Sequence, residues 1–203
     1  MIHILDYGVG NVQAILNVYK RLGIPAERAK TEADVRAAKR LLLPGVGKFD
    51  TAMDLFGRSG MRPAVEAAVR DGIPLLGICV GMQMLADSSE EGHRPGLGLV
   101  PGRVRHFSAQ PAAARLPMPH MGWNDVEPTP GVPIFSDPVG DYRFYFLHSF
   151  YFECADEAHV AARAEYGFPF HCAVARGRVF GVQFHPEKSH HWGAGLLQRF
   201  SEV

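Results

Sequence analysis

Short apolar runs alternate with amphipathic stretches along the first half of the chain. The apolar runs, at residues 2–5, 40–43 and 74–78, have the length of buried strands, whereas residues 11–22 and 61–70 repeat apolar side chains at helical spacing. Strands that alternate with helices along a chain are typical of βα units, whose strands pair in parallel. The first half therefore predicts a parallel sheet with helices on its faces.

The second half has a different pattern. Proline and glycine recur through residues 111–140, aromatic side chains alternate through residues 143–152, and residues 172–182 hold two apolar runs around Gly177. A short turn between apolar runs predicts a hairpin, and an amphipathic helix is predicted at residues 192–200. We therefore predict an α/β fold with a flavodoxin-like, open and mostly parallel sheet, flanking helices and additional antiparallel strands in the C-terminal half.

Length, composition and charge narrow the class of protein. The chain has 203 residues, of which 47% are hydrophobic and 21% charged. It can therefore bury a proper core, and we predict a single domain over residues 1–203. Lysine plus arginine equal aspartate plus glutamate at 21 each, so no net field favours nucleic acid or an anionic membrane as a partner.

Targeting signals and disulfides are not indicated. No apolar run reaches the roughly 18 residues that a membrane span needs, and the N-terminus starts with a strand-like run rather than a signal sequence. Cys79, Cys154 and Cys172 are odd in number and lack paired-ligand spacing, which favours a reducing compartment over a disulfide framework. We therefore expect a cytoplasmic protein.

Cys79 is the first candidate for chemistry. It stands in Gly77-Ile78-Cys79-Val80-Gly81, between an apolar run and a helical pattern, which is the arrangement of a nucleophile elbow with cysteine in place of serine. Small residues two positions before and after the nucleophile allow the strained turn to form. A helix N-terminus would favour the thiolate, and the Val80 N–H would face an oxyanion. A buried cysteine in a glycine-rich turn is the alternative.

His185 and Glu187 are the second candidate. The strand-like Phe180-Gly181-Val182 runs into Gln183-Phe184-His185-Pro186-Glu187. Residues two apart in extended backbone project to one side, so Glu187 can orient the imidazole while its other nitrogen takes the thiol proton. A surface turn is the alternative for this motif by itself. Both motifs follow predicted strands, and the carboxyl ends of such strands are where catalytic groups gather.

Two other predicted strands end in glycine-rich turns. Leu43-Pro44-Gly45-Val46-Gly47 can present backbone N–H groups to a developing negative charge, and its spacing does not match a phosphate loop. Asp6-Tyr7-Gly8-Val9-Gly10-Asn11 lacks the third glycine of a dinucleotide fingerprint. We interpret it as a tight turn with a helix cap, with an interface role as the alternative.

Metal and cofactor sites are not predicted. His190 and His191 are adjacent rather than at ligand spacing, which favours a solvated helix face. The aromatic residues of 143–152 predict a strand that is buried on at least one face. His148 and Ser149 at its end are weaker candidates for the wall of a pocket.

Together these segments resemble the triad-type glutamine amidotransferases, and within them the glutaminase subunits of imidazole glycerol phosphate synthases. The resemblance spans nearly the whole chain. Its narrower part is carried by the Pro-Gly-Val-Gly turn, by Met82 after Gly81 and by Met121-Gly122-Trp123-Asn124. Val80 departs from the leucine that this family more often has, but residue 80 contributes its backbone.

The resemblance implies a set of residues for each role. The roles are the catalytic triad, the oxyanion-hole amides, the groups that hold the amino-acid end of glutamine, and the surface that faces a partner. In that order the residues are Cys79, His185 and Glu187; Val46, Gly47 and Val80; Gln83, Glu91, Ser149 and Phe150; and Asn11, Trp123, Tyr145 and Lys188. No metal and no cofactor are implied.

The resemblance also implies a heterodimeric partner. This is a cyclase subunit, a (β/α)8 barrel, that would use ammonia to form imidazole glycerol phosphate and aminoimidazole carboxamide ribotide in histidine biosynthesis. Two alternatives stay open: a paralogous glutaminase that feeds another barrel synthase, and a cysteine hydrolase or protease of the same fold. A binding module without chemistry is disfavoured because all three triad residue types are present.

Overall fold

The first half of the chain alternates strands and helices. The computed structural model describes residues 1–136 and 140–203; residues 137–139, part of the proline- and glycine-rich stretch, lie outside the described residues. The elements of the first half are β1 (Ile2–Leu5), α1 (Val12–Arg21), β2 (Ala26–Ala29), α2 (Glu32–Arg36), β3 (Arg40–Gly45), α3 (Phe49–Arg58), α4 (Arg62–Arg70), β4 (Leu75–Cys79) and α5 (Val80–Gln83).

The second half consists mainly of strands. They are β5 (Ser88–Ser89), β6 (Gly102–His106), β7 (His120–Pro128), β8 (Tyr142–His148), β9 (Phe150–Cys154), β10 (Val160–Glu165), β11 (Pro169–Arg176) and β12 (Val179–Val182), followed by α6 (His190–Phe200). The strand predicted from the aromatic residues of 143–152 is present as two strands, β8 and β9, because the chain bends at Ser149. β8 then pairs with β7, whereas β9 pairs with β6 and β11. The aromatic alternation continues across the bend since both strands bury aromatic side chains.

The main path of the sheet runs β2-β1-β3-β4-β12-β11-β10-β7-β8, with β5, β6 and β9 attached beside it. The first five strands along this path, β2, β1, β3, β4 and β12, pair in parallel. From β12 onward, through β11, β10 and β7 to β8, neighbouring strands are antiparallel. The predicted hairpin of residues 172–182 is present as β11 and β12, and β12 joins the two parts of the sheet. This topology confirms the α/β class.

The central strands explain why the apolar runs are continuous. Leu41, Leu42 and Leu43 of β3 and Leu75 and Leu76 of β4 are fully buried, as expected for parallel strands with helices on both faces. Within the described residues, no helix combines the length and apolarity needed to cross a membrane.

The carboxyl ends of β3, β4 and β12 meet at one edge of the sheet. Gly45 at the end of β3 is in register with Cys79, and Val182 at the end of β12 is in register with Ile78. Three segments from distant parts of the sequence are thereby brought within reach of each other. This is the edge at which ligands bind in open α/β sheets.

Candidate active site

Cys79 occupies a strained turn between β4 and α5. Its backbone φ is +56° and ψ is −115°, a conformation that residues other than glycine rarely adopt. A Cβ on Gly77 would lie 2.6 Å from the Gly81 carbonyl oxygen, and a Cβ on Gly81 would lie 1.9 Å from that of Leu43. The elbow therefore requires glycine on both sides of Cys79, and it holds the thiol at the edge of the sheet.

The helix that follows Cys79 is a single turn. α5 contains four residues, with Cys79 as its N-cap. The helix dipole grows with the number of aligned peptides, so its stabilisation of a thiolate is smaller here than a long helix would provide. The charge on the sulfur depends more on the neighbouring side chains.

His185 and Glu187 approach the thiol from the end of β12. The His185 Nδ1–H donates to Glu187 Oε1 at 2.9 Å, which leaves the other ring nitrogen for the Cys79 sulfur. The side chains of His185 and Glu187 are 5% and 2% exposed. The backbone of His185 is held as well, because its N–H donates to the Tyr145 carbonyl and its carbonyl accepts from the Ser189 hydroxyl at 2.6 Å.

The electrostatics of this group favour an imidazolium. Burial lowers the pKa of His185, but the hydrogen bonds with Cys79 and Glu187 outweigh burial and raise the pKa to about 10. A cationic imidazole beside the sulfur stabilises the thiolate, which is the reactive form of cysteine. The pair can therefore attack a carbonyl and then protonate the leaving group.

Gln183 is a site residue that sequence analysis did not identify. It is fully buried, its side-chain N–H donates to the Cys79 sulfur at 3.8 Å, and its Oε1 accepts from Gln83 at 3.0 Å. This chain of hydrogen bonds connects the nucleophile to Gln83 on α5. A signal was present in the sequence, because a glutamine between Val182 and Phe184 at the end of an apolar strand needs a buried partner.

Cys79 and His185 line a pocket of about 340 Å³, within the range of small-ligand sites. Its wall contains all of the predicted oxyanion-hole and substrate residues. They are Val46, Gly47, Val80, Gln83, Glu91, Ser149 and Phe150, and the remainder of the wall is Pro119, Leu147, His148 and Lys188. Glu187 is not part of the wall but supports His185 through its hydrogen bond.

A larger groove elsewhere has a different composition. It measures about 500 Å³, and its lining consists of Met53, Asp54, Gly57, Arg58, Arg62, Arg94 and Pro95. This lining contains no nucleophile and no histidine, so its size does not make it a catalytic site. The smaller pocket, by contrast, is lined by Cys79 and His185.

The glycine turn after β3 lies directly beside Cys79 and α5. A Cβ on Gly45 would lie 2.5 Å from the Gly81 nitrogen, so the turn contacts the start of α5. The Tyr7 hydroxyl donates to the Pro44 carbonyl at 2.6 Å and anchors the turn from the side of β1. Tyr7 was not singled out by the sequence analysis, and it explains why the glycine-rich segment after β1 packs here.

His148 and His120 form a second buried histidine pair near the pocket. His120 Nδ1 and His148 Nε2 are 3.0 Å apart, and His148 Nδ1 lies 2.6 Å from the Phe150 carbonyl. Burial lowers the pKa of His120 to about 4 and that of His148 to about 3. Both rings are therefore neutral at pH 7, and His148 contributes a polar but uncharged part of the wall.

An exposed apolar surface borders the pocket. Met121, Trp123 and Leu147 are 65%, 38% and 37% exposed, and Tyr145 pairs with Trp123 as Leu147 pairs with Met121. Because side chains alternate across a strand, these four lie on one face of β7 and β8; we call them the hairpin face. The Lys188 ammonium lies 5.7 Å from the Tyr145 ring centre.

The predicted interface residues thus fall into two places. Trp123 and Tyr145 belong to the hairpin face and Lys188 lies against it, whereas Asn11 is at the N-cap of α1. The segment of residues 6–11 does end at the N-cap of α1, as predicted, but the exposed Asn11 side chain makes no capping hydrogen bond.

His190 and His191 lie at the start of α6. His190 stacks on Trp123 with ring centres 5.3 Å apart. In the part of the chain that the structure describes, no three His, Cys, Asp or Glu side chains cluster as they would around a metal ion.

Comparison with known proteins gives a consistent family. Residues 3–201 match the family model described as glutamine amidotransferase class-I. The chain is 55% identical over 204 residues to the imidazole glycerol phosphate synthase subunit HisH of Bdellovibrio bacteriovorus and 45% identical to that of Leptospira borgpetersenii, with 100% of both chains covered in each case. A solved structure described as a glutamine amidotransferase has a TM-score of 0.77 at 24% identity, covering 99% of this chain and 97% of that one.

Proposed function

The chain belongs to the class-I glutamine amidotransferases, and from that membership we propose that it is the glutaminase subunit of an imidazole glycerol phosphate synthase. In this proposal Cys79, His185 and Glu187 are the catalytic triad. The observation that carries it is a nucleophile elbow in which the Cys79 thiol forms a hydrogen bond with His185. The other ring nitrogen of His185 forms a hydrogen bond with the buried Glu187 carboxylate. The names of the full-length relatives support the narrower assignment.

The chemistry follows from the charge state of the triad. The Cys79 thiolate attacks the side-chain amide carbon of glutamine, and the oxygen becomes an oxyanion next to the amides of Val46, Gly47 and Val80. The His185 imidazolium protonates the amide nitrogen, and the C–N bond breaks. Ammonia departs, and the acyl group remains on Cys79 as a thioester. Neutral His185 then takes a proton from water, which attacks the thioester and releases glutamate and the thiolate.

Four groups in the pocket wall suit the amino-acid end of glutamine. The Glu91 carboxylate can pair with the α-ammonium group, and Gln83, Ser149 and Phe150 offer an amide, a hydroxyl and backbone groups to the α-carboxylate. All four line the same pocket as Cys79. A substrate anchored there by charge and hydrogen bonds would present its amide to the thiolate.

The hairpin face and Lys188 are the proposed contact with a cyclase subunit, a (β/α)8 barrel. Ammonia is protonated in bulk water and then no longer nucleophilic, so its transfer requires a shared interior path between two joined active sites. The apolar hairpin face adjoins the pocket through Leu147, which belongs to both. Exposed aromatic and aliphatic side chains in one patch are typical of a protein interface. We propose that the pair acts in the cytoplasm, which the three free cysteines support.

The test measures glutamate formation from glutamine by this chain alone, and by this chain mixed with its candidate cyclase and that enzyme's nucleotide ligand. We expect a large rise in rate on adding the loaded cyclase, and no activity in Cys79→Ala. Cys154→Ser is the matched control, because burial raises the pKa of the Cys154 thiol to about 12 and keeps it protonated; it should retain wild-type activity.

Two other results would change the proposal. Slow turnover that depends on Cys79 but does not respond to the cyclase would keep the glutaminase and indicate a different synthase as the recipient of ammonia. Equal activity in Cys79→Ala and the wild type would contradict the mechanism itself.

A further inference from the structure

Two carboxylates brace the loop that carries Glu91 against the start of α3. Glu91 Oε2 accepts from the Phe49 N–H at 2.8 Å. In the opposite direction, Asp50 accepts from the backbone N–H groups of His93 and Arg94 at 3.0–3.1 Å. Each segment therefore holds the other through a side chain and a backbone, and neither can shift without loss of charge-assisted hydrogen bonds.

The fit between Asp50 and the loop is close. A Cβ on Gly92 would lie 2.0 Å from Asp50 Oδ1, so the loop backbone rests directly on the carboxylate. The hydrogen bonds from His93 and Arg94 hold the pKa of Asp50 below its usual value. Asp50 is therefore anionic at neutral pH and remains a strong acceptor.

We propose that Asp50 is a positioning residue that fixes Glu91 for the α-ammonium group of glutamine, an inference that rests on the proposed glutaminase function. Within residues 1–136 and 140–203, the other Glu91 oxygen, Oε1, accepts no hydrogen bond, and Glu91 lines the pocket with Cys79. One oxygen thus anchors the carboxylate and the other is available to a ligand. Removal of Asp50 frees two loop N–H groups and allows the Glu91 carboxylate to move away from its binding position.

Asp54 provides a matched comparison on the same helix. It lies four residues after Asp50 and pairs with the side chain of Arg94 at 2.8 Å, not with the loop backbone. An exposed ion pair of this kind contributes little to stability. Asp54→Ala therefore removes a carboxylate from α3 without loosening the backbone at residues 91–94.

The experiment uses two chloroketones that alkylate the Cys79 thiolate. One is the glutamine analogue with a chloromethyl ketone in place of the amide, and the other lacks only its α-amino group. In both, the C–S bond forms, the C–Cl bond breaks, and chloride leaves with the electron pair. The ratio of their alkylation rates, followed by mass spectrometry of the chain, measures recognition of the ammonium group separately from the reactivity of Cys79.

We expect the wild type to prefer the amino compound by at least about 10-fold, since a displaced binding group can change a rate by more than that. Asp50→Ala should bring the ratio close to one while the rate with the compound that lacks the amino group stays unchanged, and Glu91→Gln, which removes the proposed ammonium ligand itself, should also bring the ratio close to one. The double variant should lose nothing further. Asp54→Ala should keep the wild-type ratio, and Asp50→Asn, which retains Oδ1 as an acceptor, should fall between.

Each contrary result has a distinct meaning. A wild-type ratio in Asp50→Ala would overturn the positioning role and leave the glutaminase proposal intact. An equal loss with both compounds in Asp50→Ala would show a general structural role and would also overturn it. No preference in the wild type would contradict the assignment of Glu91 to glutamine, and the positioning role would fall with that part of the proposed function.

Discussion

His185 and His148 line the same pocket and are almost equally buried, at 4% and 6% exposure. At pH 7, however, His185 is a cation and His148 is neutral. The pKa of His185 is raised to about 10, whereas that of His148 is lowered to about 3. Burial lowers both. The difference arises from the partners, because His185 contacts a thiol and a carboxylate, whereas His148 contacts the Phe150 carbonyl and the neutral ring of His120.

The comparison shows what a buried histidine needs in order to act as an acid in this fold. A low-dielectric site disfavours the imidazolium unless an anionic group compensates for the lost hydration. The region around His185 provides that compensation, and the region around His148 provides only hydrogen-bond partners. Variants that remove or alter these partners should change the two regions in different ways.

The largest effect is expected at the charged site. His185→Ala removes the acid and base of the proposed triad, and we expect glutaminase kcat in the complex with the proposed cyclase partner to fall by about 10⁴-fold. Measurement of glutamate formation at saturating glutamine checks this. A loss smaller than about 10-fold would show that another group moves the proton.

Glu187→Gln should have the next largest effect, about 10³-fold on kcat, because the amide can still accept the His185 hydrogen bond but no longer carries the charge. Loss of the carboxylate should also lower the pKa of His185. Since the imidazolium is the proposed acid, wild-type kcat at saturating glutamine should decline as the pH rises through about 10, and in the variant this decline should begin at a lower pH. The measurement uses kcat because the α-ammonium group of free glutamine also titrates in the alkaline range and changes kcat/KM. If the decline at high pH occurs at the same pH in both proteins, it is caused by a group other than His185.

Ser189→Ala tests the backbone support of the charged site. The buried Ser189 hydroxyl donates to the His185 carbonyl and accepts from the Tyr145 N–H at 3.0 Å. Its loss removes the acceptor of the Tyr145 N–H, while the His185 carbonyl keeps the hydrogen bond from the Lys188 N–H, so we expect the free energy of unfolding to fall by about 1–3 kcal/mol. Urea denaturation checks this. Ser201→Ala, which removes a hydroxyl that bonds only to Gln198 at the end of α6, should change stability by less than about 0.5 kcal/mol.

His120→Phe tests the neutral pair and should have the smallest effect. The ring of His120 stacks on Phe146 and Tyr166, so phenylalanine can keep the packing, but it removes the hydrogen-bond partner of His148 Nε2. The test is therefore the pH dependence of stability, not its absolute value. In the wild type, the unfolded chain binds a proton at His120 below about pH 6.5, but the folded chain does so only near pH 4. Stability is therefore lost as the pH falls from 6.5 to 4.

The variant should lose less stability over that range. Removal of one such histidine makes the acid dependence shallower by up to about 1.4 kcal/mol per pH unit. Urea unfolding at pH 6.5 and 5.5 measures the difference. Equal slopes in the two proteins would show that His120 binds its proton at the same pH in the folded and unfolded chains.

Much of the fold could be predicted from the chain, but not evenly. β3 and β4 were predicted to within two residues at each end because they are continuous apolar runs. α3 was not predicted, although its buried residues Phe49, Ala52, Met53 and Phe56 have helical spacing. The helix begins directly after the glycine turn, and its N-cap residue, Lys48, makes no side-chain capping hydrogen bond that would mark the start. The bend at Ser149 depends on which strands pair, which no local pattern contains.

The candidate site divides in the same way. The motifs around Cys79 and His185 predicted these two residues as candidates for chemistry, and the structure places both in one pocket. Gln183, Ser189, Tyr7 and Asp50 were not assigned roles, because each acts through a partner that is distant in sequence or lies in a loop without regular spacing. Their residue types are common in turns and strand ends, so identity alone carries little information.

The sequence by itself determined the strained elbow at Cys79, because Gly77 and Gly81 lie within two residues of it and backbone strain is a local property. It also determined the extended backbone of His185, but the prediction that extended backbone continues to Glu187 is wrong: Pro186–Lys188 form a 3-10 turn, and that turn brings the Glu187 carboxylate to the imidazole. Only the tertiary structure decided the charge of each histidine and the placement of Glu91. A pKa depends on burial and on charges that arrive from distant segments, and those distances exist only after the sheet has formed.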